Sequence, residues 1–271
     1  MLKIDYFSNL YNRYFPIFEL TCVNKNFYTI RNTMIRYLNI ILFAGMIIMN
    51  YLANALPLNN KTTGQLSDQF PNLFVPAGIT FSIWGIIYLL LAVYCVLQFS
   101  PRSKSIAEEI GWLFALSCVM NGLWIIAWHY EKLPLSLGIM TVLLISLIFI
   151  NIAIKDLPVG FIKAVFGIYL GWICIATIAN VTAVLVHYNL SGSGISEEAW
   201  TVIMIAAGVF ITSLTIVRLN NPFIGLSVMW AFTGIIIKQY TDYRIIAMVA
   251  LAGIITTLYF TLNPLIRAYF Q

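Results

Sequence analysis

Three groups of residues in this 271-residue chain carry side chains suited to specific chemistry. Trp84 and Tyr88 stand at i and i+4. Asn121, Trp124 and Trp128 stand at i, i+3 and i+7, and Tyr169, Trp172, Ala176 and Asn180 extend the same kind of pattern. On a helix, such spacings put each group on one face. The chemistry on offer is recognition rather than bond-making. Indole and phenol rings present flat apolar area with one polar tip, and a carboxamide both donates and accepts. Facing one another, these residues would line an aromatic cavity for a flat apolar ligand with one or two polar edges. The same residues would also serve simple packing, with Trp filling volume and Asn bridging helices, so both readings stand at this point.

Bond-making sets are missing from the sequence. His129 and His187 each close an apolar run, where an interfacial role suffices. Cys22, Cys95, Cys118 and Cys174 form no CxxC or Cys/His ligand pattern. No phosphate-cradling loop or nucleophile elbow occurs, and Ser191-Gly192-Ser193-Gly194 reads as a flexible loop. The expectation is a non-enzymatic protein without cofactor or metal.

The elements that position these side chains follow from composition. Apolar residues make up 61% of the chain and charged residues only 9%, against about 25% charged in a soluble domain. That excludes a soluble enzyme and a disordered chain alike. A membrane-spanning helix needs about 20 apolar residues, and eight runs qualify: Tyr37–Leu56, Phe74–Leu97, Ile110–His129, Leu135–Ile154, Ala164–Val186, Ala199–Val217, Pro222–Lys238 and Ile245–Leu262. The seventh is short and the fifth long. The expected fold is an all-α integral membrane protein of about eight transmembrane helices.

Eight spans put both termini on one side, with the loops after spans two, four and six. That side holds eleven of the 15 basic residues; Lys61, Lys132, Lys238 and Arg244 lie opposite. The bias predicts cytoplasmic termini in a multi-pass protein of the plasma membrane. The net charge of +5 then reflects topology rather than nucleic-acid binding. Every charged residue can sit in a loop or at a span end, which argues against ion- or proton-coupled pumping. Residues 1–36 read as a cytoplasmic or interfacial extension too polar to span, with Met34 as an alternative start.

Depth sorts the tryptophans. Trp112, Trp128 and Trp200 lie at span ends, where the interfacial belt accounts for them. Trp84, Trp172 and Trp230 fall near mid-span, with Trp124 between the two cases. Asn121, also near mid-depth, needs a partner within the bundle or a ligand. Gly167 and Gly171 beside Trp172 would permit close helix approach.

At these residues the chain resembles the TspO/MBR family (translocator protein, tryptophan-rich sensory protein). The second span carries Pro76, Phe81, Trp84 and Tyr88 at the family's spacing; the third carries Asn121-Gly122-Leu123-Trp124; the fifth carries Tyr169-Leu170-Gly171-Trp172, Ala176-Thr177 and Asn180. The order of the motifs also agrees. The resemblance covers Tyr37–His187 and implies a five-helix unit over residues 37–187, followed by three further spans over 188–271. It implies a pocket between helices for tetrapyrroles such as porphyrins, and roles in transport or sensing. Carried over by position, Trp84, Asn121, Trp124, Trp172 and Asn180 would line it, joined by the neighbouring Pro76, Phe81, Tyr88 and Tyr169. Two departures stand out. The first long loop, Asn59–Leu73, holds no Trp, leaving Phe70, Pro71 and Phe74 nearest. The sterol-associated pattern stops at Val186 and Tyr188 with no basic residue after them, which argues against a sterol.

The expected function is therefore a membrane-embedded binding, transport or sensory protein for a planar apolar ligand. Expected partners are the lipid bilayer, a porphyrin-like or other apolar small molecule, and a second copy of the chain as a homodimer. The competing readings are a permease for a small solute and a membrane partner subunit that needs no ligand. A permease would often carry an internal repeat; none is visible between spans one to four and five to eight.

Overall fold

In an apolar medium a chain must satisfy its backbone N–H and C=O groups internally, and the apolar runs do so as helices. The computed structural model describes residues 20–55, 58–101, 103–188 and 194–269. The first nineteen residues of the N-terminal extension and the Ser191–Ser193 part of the Ser/Gly loop lie outside them. The eight main helices are α1 (Leu20–Ala55), α2 (Ile83–Leu97), α3 (Lys104–His129), α4 (Leu133–Ala153), α5 (Phe161–His187), α6 (Glu197–Leu219), α7 (Ile224–Gln239) and α8 (Arg244–Tyr269). Among the described residues, seven helical stretches are long and apolar enough to cross a membrane, and α7 is a shorter apolar helix. At 1.5 Å per residue its 16 residues span about 24 Å, just under the ~30 Å of a hydrocarbon core. The protein is an all-α, multi-pass integral membrane protein of about eight spans.

Helix α3 starts six residues before the expected Ile110 and α8 runs seven past the expected Leu262, and two other boundaries differ more. Helix α1 starts at Leu20, so the polar segment ahead of the first span is helical and continuous with it as far as the described residues reach. The run from Phe74 does not begin as α-helix. Residues Leu73–Ala77 are irregular, Gly78–Ser82 form a 3₁₀ turn, and α-helix starts only at Ile83. Pro76 explains the delay, because it offers no N–H and biases Val75 away from helical backbone.

Local signals set other ends. Ser196 caps α6, its Oγ accepting from the Ala199 N–H, with Glu197 and Glu198 in the first turn. Asn220 closes α6 in the left-handed conformation (φ 48°). A short helix in the α1–α2 connection, Thr63–Asp68, opens with a capping box between Thr62 and Gln65.

Helix α5 is central and packs against α2, α4, α6 and α7; α3 lies between α1 and α4; α6, α7 and α8 pack on one another. The α5–α7 approach is close because Gly167 and Gly171 have no side chain. A Cβ on Gly171 would collide with the Ile224 carbonyl and the Ser227 hydroxyl, and one on Gly167 would sit 2.6 Å from Asn221 Oδ1.

Polar clips fix helix ends away from the α1–α2 connection. Lys163 is only 1% exposed, yet its Nζ donates to the Lys155 and Asn220 carbonyls, each at 2.8 Å. Those carbonyls stand at the C-terminal ends of α4 and α6, where the helix dipole favours a cation. Asn221 Nδ2 donates to Asn151 Oδ1 (2.8 Å) and the Lys163 carbonyl (2.9 Å). Arg36 pairs with Glu108 at 2.7 Å, while Gln98 Nε2 donates to the Arg36 carbonyl.

Gly171→Leu is expected to destabilise the protein by more than about 2 kcal/mol, since backbone carbonyl cannot yield as a side chain would. Gly45→Leu, with open space beside it, should leave stability unchanged. Thermal unfolding in detergent reads both; equal melting points would refute the close α5–α7 contact.

Candidate functional site

Trp84 is the hub of the aromatic layer. Its ring stacks on Tyr88 (centroids 5.4 Å, interplanar angle 25°) and meets Tyr169 and Trp172 edge-on, both at 6.2 Å. Phe81 meets Trp172 edge-on at 6.0 Å. Such pairs contribute about 0.5–1.5 kcal/mol each beyond area burial. The layer thus holds α2 against α5.

Two cavities flank this hub. The smaller, about 50 Å³, lies between α2, α3, α5 and the α1–α2 connection. Pro76, Phe81, Trp84, Trp124, Trp172 and Asn180 all line it, as do Trp128 and Asn72. Ala176, Ala179 and Ala183, one side of α5, leave the space open. The larger, about 560 Å³, lies between α1, α2 and α3. Asn50, Tyr51 and Asn54 of α1 line it, together with Tyr88 of α2. Thr63, Phe81 and Trp84 border both cavities, so one ring wall divides them.

Six of the nine sequence-derived candidates therefore meet at the smaller cavity, and Tyr88 reaches the larger one. Asn121 and Tyr169 line neither. Asn121 Nδ2 donates to the Tyr169 hydroxyl (2.9 Å), while its Oδ1 accepts from Asn50 Nδ2 (2.8 Å). This chain joins α1, α3 and α5 at mid-depth, with both Asn121 and Tyr169 fully buried. Asn180 is half-committed: its Oδ1 accepts from the Ser136 hydroxyl (3.1 Å), and its Nδ2 has no partner among the described residues.

Two of the span-end tryptophans line packed space inside the bundle. Trp128 does not sit in an interfacial belt; it is 6% exposed and stacks on Trp124 (5.8 Å, 21°). Its i+4 spacing from Trp124 was the available signal. Trp200 lines a third small space between α5, α6 and the connection. Trp112, by contrast, is 58% exposed as a belt residue should be. Trp230, near mid-span, faces neither cavity: its Nε1 donates to the Thr80 carbonyl at 2.8 Å.

The unpaired polar atoms around the cavities are of two kinds: the Thr63 and Tyr88 hydroxyls, which both donate and accept, and a set of N–H groups. The indole N–H groups of Trp124, Trp128 and Trp172 and the Asn180 amide N–H have no partner among the described residues. All are donors, and an indole N–H cannot accept. The walls suit a ligand edge bearing acceptor oxygens. Among the described residues no cluster of His, Cys, Asp or Glu could hold a metal ion. Cys95, Cys118 and Cys174 are buried free thiols.

A bundle of apolar helices around a mid-depth aromatic layer defines a multi-pass membrane protein. Its sequence matches the model of the TSPO-like protein family over residues 36–263, from α1 into α8, and the chain belongs to that family. No curated protein and no solved structure matches it.

Replacing Asn121 with Leu is expected to cost about 1–2 kcal/mol, because Asn50 and Tyr169 lose their shared partner. In that background Tyr169→Phe should cost clearly less than it does alone. Unfolding midpoints of the four-member cycle measure the coupling, and simple additivity would refute the hydrogen-bonded chain.

Proposed function

We propose that this protein is a non-enzymatic binding protein of the transport or sensory kind, holding a planar apolar ligand of the tetrapyrrole class. The ligand occupies the cavity system around Trp84. The observation that carries this reading is the shared wall: Phe81 and Trp84 separate a space of about 560 Å³ from one of about 50 Å³. Small-molecule sites run to roughly 300–1,000 Å³, mostly apolar with a few convergent polar groups. The larger cavity is of that size. A flat ring inserted there would stack on Trp84 or Tyr88 beside the side chains of Asn50 and Asn54, while the donors of Trp124, Trp172 and Asn180 line the smaller space across the wall. Membership of the TSPO-like family supports the ligand class. The basic-residue bias supports a plasma-membrane protein with cytoplasmic termini, and a homodimer belongs to the same proposal.

Protoporphyrin IX titrated into the detergent-solubilised protein is expected to quench tryptophan fluorescence saturably. Trp84→Phe together with Trp172→Phe should weaken affinity roughly tenfold. Unchanged affinity would put the ligand elsewhere. Reconstituted into proteoliposomes, a carrier shows saturable porphyrin uptake, whereas a sensor binds without flux.

A further inference from the structure

The irregular segment Leu73–Ser82 sets a problem that the rest of the molecule must solve. It lies ahead of an apolar span, yet its backbone is not α-helical. Non-helical backbone at membrane depth is tolerated only where protein or a water-filled cavity supplies hydrogen-bond partners. Asn72 Oδ1 accepts from the Phe74 and Val75 N–H groups, and one helix supplies partners from across the bundle. The Ala77 N–H donates to the Gly234 carbonyl at 3.0 Å. Trp230 Nε1 donates to the Thr80 carbonyl at 2.8 Å, and Gln239 Nε2 to the Leu73 carbonyl at 2.9 Å. Trp230, Gly234 and Gln239 all belong to α7, spread over more than two of its turns. Gln239 is a polar side chain only 4% exposed, and its amide N–H is committed to this one carbonyl.

Shape enforces the same contact. A Cβ on Gly234 would run into the Thr80 hydroxyl and lie 2.8 Å from Pro76 Cβ. The backbone of α7 therefore comes right up to the segment. A further exposed pair, Lys238 with Asp68 at 3.5 Å, adds little energy but continues the line to the short helix of the connection. On its other side the segment faces the smaller cavity, through Val75, Pro76 and Phe81. Phe81 also borders the larger one.

We infer that α7 is the post to which the cavity wall is fastened, with Trp230, Gly234 and Gln239 as positioning residues. The three C-terminal helices then have a task within the ligand site although α6–α8 contribute no lining residue to either cavity beside Trp84. Movement of Leu73–Phe81 off α7 requires three hydrogen bonds to break, so these bonds set how readily the wall shifts. The link to ligand kinetics rests on the binding function proposed above; the fastening itself does not.

Two readouts separate the two ideas. Full-length protein in lipid nanodiscs is compared with Trp230→Phe, which keeps an aromatic ring but loses the N–H, and with Gln239→Met, which keeps length and loses the amide. Hydrogen–deuterium exchange of the backbone needs no ligand. Amides in peptides spanning residues 73–82 should exchange roughly tenfold faster in each variant, while peptides from α3 and α4 keep wild-type rates and so report an intact fold. Unchanged exchange at 73–82 in both variants overturns the inference. Stopped-flow binding of protoporphyrin IX gives the second arm. Association and dissociation should both quicken several-fold, with a smaller change in Kd than in either rate. Faster exchange with unaltered porphyrin rates overturns the coupling of wall to site. If wild-type protein binds no porphyrin, the proposed ligand class fails, and the exchange arm alone decides the fastening.

Discussion

The constraint on which this structure depends is the scarcity of hydrogen-bond partners in an apolar medium. Water is absent from the bilayer core, so each polar group there must be paired inside the protein or remain unpaired at a cost of several kcal/mol. Three sets of contacts answer this need at three heights. The Lys163 and Asn221 clips tie α4, α5 and the α6–α7 junction at one end. The Asn50–Asn121–Tyr169 chain ties α1, α3 and α5 near the middle. The Ala77, Thr80 and Leu73 contacts tie the start of the second span to α7. Apolar packing alone gives little preference among helix partners, because lipid tails are as apolar as leucine. The polar contacts supply that preference.

Much of this was legible in sequence, for reasons that differ by residue. Hydropathy marks spans because length and apolarity are set by the bilayer, and even the shortness of α7 showed in the run Pro222–Lys238. Depth marked Trp84 and Trp172, since a mid-span tryptophan is out of place unless it packs or binds. Trp128 escaped that filter: at a span end the belt is a sufficient explanation, and only burial tells the cases apart. Asn50 escaped for another reason. Its partner Asn121 lies 71 positions away on a different helix, and periodicity within one helix carries no information about pairing between helices. The delayed start of α2 was signalled by Pro76, yet hydropathy over Phe74–Leu97 conceals a change of backbone form.

The aromatic layer does two jobs through one residue. Trp84 binds α2 to α5 through its edge contacts with Tyr169 and Trp172, and it also divides the cavity space. A residue committed only to packing would be buried on all sides. Trp84 is half-buried, with cavity on two sides and the rings of Tyr88, Tyr169 and Trp172 on the others.

Which polar groups are paired and which are not separates structural from recognition roles more sharply than residue type does. Asn121 and Asn180 look alike in sequence, each an amide on an aromatic stripe. Asn121 has both ends of its carboxamide paired across helices, so a ligand could engage it only by breaking a contact that joins three spans. Asn180 has its oxygen held by Ser136 and its N–H₂ free among the described residues. The hydrogen bond to Ser136 fixes which way the amide faces, leaving a donor beside the three unpaired indole N–H groups of Trp124, Trp128 and Trp172. These four donors, set beside the unpaired Thr63 and Tyr88 hydroxyls that donate or accept, give the site a polarity even though the aromatic layer contains no charge. Such walls favour carbonyl or carboxylate oxygens at a ligand's rim.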